Sequence, residues 1–265
     1  MDRYDLYELC TQSAAQDVAL LRAIHGGRPR RLGEDFAGSG ALSRAWVTTI
    51  RGGTAIAVDH DPEPLARLAR FAGMARMTSV CSDVLRVRAK VDVIAALNFS
   101  ICEWHARARL LAYFRHVRSR LRPDGLFVCD LYGGAGAFTP GRLRQRQRGP
   151  HGESIVYEFE QRSADATSGR VVDALHFRVT PRVTAASSKR RSPRALVLRD
   201  AFVYDWRLWS LPEVSEALDD AGFHDVRLFP RGDHALDGRG RVHVAPIGAG
   251  EPLPRDWCLF VTGRR

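Results

Sequence analysis

The chain has 265 residues, of which 45% are hydrophobic and 26% are charged. These values are ordinary for a folded soluble protein and supply enough apolar side chains for one large core. Charges in the opening segment MDRYDLYELC argue against a signal peptide. No stretch approaches the ~18 consecutive apolar residues of a spanning helix. The sequence therefore predicts a cytoplasmic globular protein with no membrane segment.

Basic residues outnumber acidic ones, and the formal net charge is +10. Only Lys90 and Lys189 are lysines, so the excess of arginine reflects a bias of the whole chain as much as a binding surface. Two basic clusters, RLRQRQR at 142–148 and SSKRRSPR at 187–194, are flanked by Gly, Pro or Ser and are predicted to be exposed loops. A contact of these loops with a polyanion such as nucleic acid stays open.

The cysteines are odd in number and contain no C-x-x-C pair. They are Cys10, Cys81, Cys102, Cys129 and Cys258. This distribution favours small buried residues in a reducing compartment over a disulfide framework or a metal site, so neither is predicted.

The first half of the chain alternates short apolar runs with helical patterns, which indicates βαβ units and a parallel sheet. The predicted strands are 30–36, 54–58, 77–81, 91–97 and 125–131. The predicted helices are 17–25, 39–49, 63–72 and 104–121. The last of these helices is expected to end at the turn sequence RPDG.

The second half begins with a different pattern. Alternating apolar and polar residues predict strands at 155–163, 169–179 and 195–206, which we interpret as an antiparallel insertion beside or over the main sheet. A helix at 211–223 and strands at 224–229 and 256–263 are predicted to close the chain.

A glycine-containing bend follows the first predicted strand. In the segment 31–43, the strand ends at Glu34 and Asp35, and the chain continues through Gly38 and Gly40 into a helix. Glycine lets the backbone approach a ligand where a side chain would block it. A G-x-G sequence also occurs at helix starts that bind nothing, so both interpretations stay open for this segment alone.

Single acidic residues follow the second and third predicted strands. Asp59 is placed to accept hydrogen bonds from the hydroxyl groups of a ribose, and Asp83 from an exocyclic amine such as that of adenine. Either residue could instead cap a turn or a helix. Acidic residues thus follow three successive strands, at the edge where open α/β sheets bind their ligands.

Several segments, in this order, resemble the successive motifs of class I S-adenosylmethionine-dependent methyltransferases. They are EDFAGSG (34–40), AVDHDP (57–62), CSDV (81–84), VDVIAALNFS (91–100), LRPDGLFVCDLYGG (121–134) and the closing helix and strands at 211–229 and 256–263. The resemblance covers 30–131 and 211–263. It implies an α/β fold, with a seven-stranded, mostly parallel Rossmann-like sheet, helices on both faces, a closing antiparallel β-hairpin and an antiparallel β insertion after the fifth strand.

The resemblance also implies S-adenosylmethionine as the cofactor. Glu34 or Asp35 would hold its methionine end together with the glycine bend, Asp59 its ribose and Asp83 its adenine. The implied cofactor-binding residues are Glu34, Asp35, Phe36, Ala37, Gly38, Gly40, Asp59, His60, Asp83, Val84, Asn98 and Phe99.

The sequence departs from the family pattern at two positions. Phe36 replaces the first glycine, and Asp35 stands where a leucine-like residue is usual, so the choice between Glu34 and Asp35 as the cofactor contact stays open. Asn98-Phe99-Ser100-Ile101 also differs from the Asn-Pro-Pro-Tyr type of sequence in enzymes that methylate a nucleobase amine.

Candidate catalytic residues are Tyr7, Glu103, His105 and Tyr132. Tyr7 lies in an aromatic segment that resembles the N-terminal lid of many small-molecule methyltransferases. Glu103 and His105 follow the fourth strand and Tyr132 the fifth, where they could orient or deprotonate an acceptor. Each of the four could equally be an ordinary helix-start or surface residue.

We predict one methyltransferase domain over 1–265. Its parts are an N-terminal helical lid (1–29), a cofactor-binding half (30–149), a substrate-side insertion (150–210) and a closing segment (211–265). The predicted reaction is methyl transfer to nitrogen or oxygen of a small molecule.

Two alternatives stay open, and a third is disfavoured. The chain could methylate RNA or another macromolecule docked by the Arg-rich loops, or could bind S-adenosylmethionine without catalysis. A dinucleotide-dependent hydride transfer is disfavoured because Ser43 occupies the third, small position of the G-x-G-x-x-G/A fingerprint.

Overall fold

The computed structural model describes residues 1–71, 75–182, 194–231, 242 and 244–265. The chain divides into two compact units. The core unit comprises 13–137 and 208–265, and the insertion unit comprises 1–12 and 138–207.

In chain order, the strands are β1 (Arg31–Asp35), β2 (Thr54–Asp59), β3 (Met77–Cys81), β4 (Val91–Ala96), β5 (Leu121–Gly134), β6 (Gly141–Arg148), β7 (Ser154–Asp165), β8 (Arg170–Thr180), β9 (Leu196–Arg207), β10 (His224–Pro230) and β11 (Asp256–Arg264). The α-helices are α1 (Arg3–Thr11), α2 (Ala14–His25), α3 (Ala41–Thr49), α4 (Pro62–Ala66), α5 (Arg107–Arg120) and α6 (Leu211–Asp220). Short 3-10 helices lie at Arg67–Arg70, Val84–Arg86 and Ser100–Glu103.

The core unit contains a seven-stranded sheet in the order β10-β11-β5-β4-β1-β2-β3. Strands β1 to β5 pair in parallel, and β11 runs antiparallel to both β5 and β10. The predicted Rossmann-like sheet and its closing antiparallel hairpin are confirmed. The strand order changes direction between β1 and β4, which in open α/β sheets is where a ligand crevice forms at the carboxyl ends of the strands.

Alternate residues of β5 face opposite sides of this sheet. Leu126 and Val128 belong to an apolar cluster with residues of α2 and α3, including Leu21 and Trp46. Phe127, between them in sequence, contacts the other side, where its ring centroid lies 5.5 Å from that of Phe114 in α5. Helices therefore cover both faces, as predicted.

The insertion unit contains a four-stranded antiparallel sheet in the order β6-β7-β8-β9. Leu6 of α1 is fully buried in an apolar cluster with Ile155, Leu175 and Phe177 on one face of this sheet. Asp2 caps α1 by accepting hydrogen bonds from the N–H groups of the first turn. The predicted antiparallel insertion is confirmed, with one strand more than the sequence pattern indicated.

The prediction of an exposed loop at 142–148 is wrong, because these residues form the edge strand β6. Its arginines alternate with Leu or Gln, which is the two-residue period of a strand, but the pattern lacks the apolar residues from which strands are normally recognised. The other basic cluster, 187–194, lies outside the described residues except for Arg194.

Other boundaries differ locally from prediction. The predicted helix at 63–72 is α4 followed by a 3-10 turn, and the predicted turn at 122–125 lies within β5, where Asp124 has a φ of 60°. Cys102 and Cys129 are buried, as predicted, whereas Cys81 is exposed. Among the described helices, none is both long and apolar enough to cross a membrane.

Candidate cofactor site

The bend between β1 and α3 has a left-handed backbone at Phe36, Gly38 and Gly40, with φ values of 57°, 52° and 67°. The φ of Gly40 favours glycine, and a Cβ there would lie 2.8 Å from Leu68 Cδ2, so the Leu68 side chain would have to shift. A Cβ at Gly38 would meet no atom within 4 Å. The backbone of Gly38 therefore borders open space, as a ligand-binding bend should.

Asp59, at the end of β2, holds this bend in place. Its Oδ2 accepts a hydrogen bond from the Gly38 N–H at 2.7 Å, and its Oδ1 accepts one from the Asp61 N–H at 2.9 Å. The Ala37 N–H donates to the Val58 carbonyl oxygen at 2.9 Å and fixes the bend to the same strand. The carboxylate is 12% exposed, so lone pairs not used by the backbone remain accessible to a ligand.

A cavity of about 400 Å³ opens beside Asp59. This is a normal size for a small-molecule site. Its lining residues are Phe36, Asp59, His60, Ser82, Asp83, Val84, Glu103, Trp104 and Arg109. Six of these nine were predicted from the sequence, five as cofactor contacts and Glu103 as a catalytic residue.

Asp83 caps the 3-10 turn that follows it, and its Oδ1 accepts the Leu85 N–H at 2.8 Å. The capping role considered from the sequence is therefore real, and it does not exclude ligand contact because Asp83 is exposed at the cavity wall. Val84, the next residue, is buried and supplies apolar surface to the same wall.

Glu34 lies under the start of α3, where its Oε2 accepts the Ser43 N–H at 2.7 Å. Burial raises the pKa of this carboxyl to about 7, although hydrogen bonds from Ser43 and Leu42 oppose the rise. A carboxylate at a helix N-terminus also interacts favourably with the helix dipole. Glu34 thus stabilises the entry of the bend into α3.

Asp35 points into the core instead. Arg120 donates to both of its carboxylate oxygens, at 3.0 and 2.7 Å, and the Tyr113 hydroxyl donates to Oδ2 at 3.0 Å. The side chains of Asp35 and Arg120 are 0% and 1% exposed. This buried ion pair explains an acidic residue at a position that is leucine-like in the family pattern.

Asn98 and Phe99, just past β4, have φ values of 60° and 64°. Two consecutive non-glycine residues in this region are strained and need support from their surroundings. Asp130, a fully buried residue of β5, accepts the Asn98 N–H at 3.0 Å and the Phe99 N–H at 2.8 Å. Asp130 therefore holds the turn that contains Asn98 and Phe99, two of the implied cofactor-binding residues.

Arg231, at the end of β10, contributes to the same support. It forms a salt bridge with Asp130, donates to the Asn98 Oδ1 at 3.2 Å and lies 3.4 Å from the Asp17 carboxylate. Neither Asp130 nor Arg231 was predicted from the sequence. The sequence did contain an indication of the role of Asp130. It is an acidic residue in the apolar strand GLFVCDL, and a buried acidic residue needs a charged or hydrogen-bonding partner.

Glu103 has a raised pKa. Desolvation is the main cause, the nearby Asp59 adds to the rise, and His60 and His105 oppose it. His60 is 72% exposed at the rim of the cavity. His105 is half-buried and is not among the lining residues.

Of the two predicted tyrosines, Tyr132 lies beside the Asn98–Phe99 turn, with its ring centroid 4.9 Å from that of Phe99. Tyr7 belongs to the insertion unit, where it packs on Phe202 at a centroid distance of 5.0 Å.

Trp104 and Arg109 line the cavity but were not singled out from the sequence. The Trp104 Nε1–H is buried and has no hydrogen-bond partner among the described residues. Its ring packs edge-on against Phe36 at a centroid distance of 6.2 Å, and the Arg109 guanidinium lies 5.3 Å from its centroid. A buried donor of this kind calls for an acceptor, which a ligand in the cavity can provide.

Several solved structures with a similar fold are methyltransferases. The sugar N-methyltransferase KedS8 from Streptoalloteichus sp ATCC 53650 is 18% identical with a TM-score of 0.65, and the alignment covers 99% of this chain and 92% of that one. CalS10, an amino pentose methyltransferase from Micromonospora echinaspora solved with bound S-adenosylmethionine, is 17% identical with a TM-score of 0.66 and coverage of 100% and 98%. DesVI from Streptomyces venezuelae is 16% identical with a TM-score of 0.67 and coverage of 98% and 95%. No protein-family model and no curated protein sequence matches the chain.

Proposed function

The chain has the fold of class I S-adenosylmethionine-dependent methyltransferases, and we propose that it shares their activity and methylates a small molecule. The observation that carries the proposal is the position of Asp59. Its carboxylate both fixes the Gly38 backbone and lines the cavity at the carboxyl edge of the sheet. One residue thereby connects the glycine bend to the ligand space.

Within this proposal, Asp59 accepts hydrogen bonds from the ribose hydroxyls and Asp83 from the adenine amine, while Val84 and Phe36 enclose the base. The open space beside Gly38 accommodates the methionine end. Asp35 is assigned to the core because Arg120 and Tyr113 already engage its carboxylate. Glu34 is assigned to the support of the bend.

When bound, S-adenosylmethionine would supply an electrophilic methyl group together with its leaving group, the thioether of the sulfonium. The protein must orient the acceptor and exclude water. The Asn98–Phe99 turn, held by Asp130 and Arg231, provides a rigid wall for this purpose, and Tyr132 extends that wall through its contact with Phe99.

An amine acceptor that binds as its ammonium ion must lose a proton to expose its lone pair. Glu103 is the candidate for this role, because it lines the cavity and a carboxylate with a raised pKa is a stronger base than an ordinary one. His105 is close enough to Glu103 to influence its charge and is proposed to assist it. The names of KedS8, a sugar N-methyltransferase, and CalS10, an amino pentose methyltransferase, favour nitrogen of a polar, sugar-like molecule as the acceptor.

The proposal is tested first by calorimetric titration with S-adenosylmethionine and, separately, with NAD. We expect S-adenosylmethionine to bind in the micromolar range and NAD not to bind. Formation of S-adenosylhomocysteine is then measured with pools of amino sugars, hydroxylated sugars and RNA. Turnover with RNA alone would contradict a small-molecule acceptor, and binding without turnover in any pool would indicate a non-catalytic protein.

A further inference from the structure

The four-stranded sheet of the insertion unit has a second, polar face. One face packs apolar side chains such as Ile155 and Leu175 against α1. The opposite face is concave and encloses a volume of about 530 Å³. Because side chains alternate along a strand, Arg142, Arg144 and Arg146 of β6 all lie on this concave face.

The concave face is strongly basic. Six of its lining residues are arginines and three are carboxylates, so it has three more guanidinium groups than carboxylates. The charged lining residues are Arg142, Arg144, Arg146, Arg162, Arg178, Arg199, Glu158, Glu160 and Asp200.

Half of these arginines are already neutralised. The Arg142 Nε donates to the Glu160 Oε1 at 2.9 Å, and the Arg162 Nε lies 3.1 Å from the other oxygen of Glu160. Arg144 is paired with Glu158. Hydrogen bonds from Arg142 and Arg162 lower the pKa of Glu160 to about 2, so this carboxylate stays ionised at neutral pH.

The other three, Arg146, Arg178 and Arg199, form no ion pair or hydrogen bond with any described residue. All three are exposed. In the sheet, Val156 is the cross-strand partner of both Arg146 and Arg178, and Arg178 is in turn paired with Val197. Neighbouring strands are ~4.8 Å apart, so the Arg146 and Arg178 backbones flank Val156 at about 10 Å from each other.

These residues make a compact basic cluster over an apolar floor. Guanidinium groups bind phosphate through paired N–H donors, and they do so more strongly where apolar neighbours reduce competition from water. Two long side chains that start about 10 Å apart can converge on one anion between them. Arg199 lies two residues from Val197, the cross-strand partner of Arg178, so the three unpaired arginines occupy a small patch that suits a compact anion better than an extended strand.

We propose that Arg146, Arg178 and Arg199 form a binding site for a compact, multiply charged phosphoanion, either pyrophosphate itself or the phosphate groups of a small ester. Nucleic acid is disfavoured as the ligand because single strands are usually held by exposed aromatic rings. Among the described residues, two aromatic side chains line this face. Phe177 is 1% exposed and packs in the opposite apolar cluster, and His176 is held by Glu160, with its Nε2 3.0 Å from the Glu160 Oε2.

The test is a titration with inorganic pyrophosphate at low ionic strength. The wild-type protein is compared with the triple variant Arg146→Gln/Arg178→Gln/Arg199→Gln. The matched control, Arg22→Gln/Arg28→Gln/Arg51→Gln, removes three exposed arginines of the core unit and the same net charge. We expect the site variant to weaken binding at least about tenfold, since hydrogen bonds between charged groups are removed, and the control to stay within about twofold.

Three outcomes would overturn the proposal. These are no binding of pyrophosphate by the wild-type protein at millimolar concentration, an equal loss in the control variant, and binding of an RNA oligonucleotide without binding of pyrophosphate. If the triple variant does not fold, Arg199→Gln on the exposed edge strand replaces it, with an expected loss of about threefold. Affinity for S-adenosylmethionine, measured on the same variants, should not change, so this test is independent of the proposed methyl transfer.

Discussion

Replacement of Asp59 by alanine should weaken S-adenosylmethionine binding about a hundredfold. The substitution removes the acceptor of the Gly38 N–H at 2.7 Å and of the Asp61 N–H at 2.9 Å, together with the acceptors proposed for the ribose. Hydrogen bonds to a charged group contribute about 1.5–3 kcal/mol each. Water can reach the freed N–H groups through the cavity, so the two ribose contacts dominate and the loss is about 3 kcal/mol, or roughly a hundredfold in Kd.

The matched control is Asp61→Ala. Asp61 is a neighbouring carboxylate that caps α4 by accepting the Glu63 N–H at 2.9 Å. Loss of this cap should lower the free energy of unfolding by about 1 kcal/mol. It should leave the affinity for S-adenosylmethionine within about threefold, because Asp61 is not among the cavity-lining residues.

Calorimetry at pH 7.5 with S-adenosylmethionine and S-adenosylhomocysteine measures both variants, and denaturant unfolding checks that each is folded. A folded Asp59→Ala protein that binds within threefold of the wild type would refute the assignment of the ribose site. An equal loss of affinity in Asp61→Ala would show that the effect is general to this loop and not specific to Asp59.

Three further predictions concern the support of the site. Folding raises the pKa of Glu34 from 4.5 to about 7, so the folded state binds more protons than the unfolded state between these pH values, and the free energy of unfolding should fall as the pH rises through them. Between pH 5 and 8.5, the wild type should lose about 2–3 kcal/mol more unfolding free energy than Glu34→Gln, measured by denaturant titration. Arg120→Leu should lower the free energy of unfolding by about 3–5 kcal/mol, because it leaves a buried carboxylate without its ion-pair partner. The double variant Asp35→Leu/Arg120→Leu should recover most of that loss in the same assay, and equal stability of the two variants would contradict this explanation. Asp130→Leu should lower kcat through release of the Asn98–Phe99 turn, and an unchanged kcat in a folded variant would exclude this positioning role.

Much of the core unit could be predicted because its strands are apolar over both faces. Residues 93–96 of β4 and 126–129 of β5 have the continuous apolar composition that is typical of buried parallel strands. Asp59 and Asp83 could be placed at the ligand edge from the sequence, because the carboxyl ends of successive parallel strands meet at one edge of the sheet.

The edge strand β6 could not be predicted from composition. Its arginines and glutamines have low strand propensity and no apolar period, and they are held in a strand by hydrogen bonds to β7. Propensity is a local property, whereas strand pairing depends on a partner in another strand, which lies 6 to 20 residues away in the chain, such as Glu158 opposite Arg144.

The sequence by itself determined the order of the strands along the chain, the position of the glycine bend and the residue types available at the ligand edge. Only the tertiary structure shows where the adjacent carboxylates point: Asp35 pairs with Arg120, 85 residues away, while Glu34 faces the start of α3. Only the tertiary structure also joined Asp130, Arg231 and the Asn98–Phe99 turn into one network. The physical reason is that a buried charged side chain points towards the opposite charge or N–H donor that can compensate its desolvation. Which partner is available depends on the packing of segments that are distant in the chain.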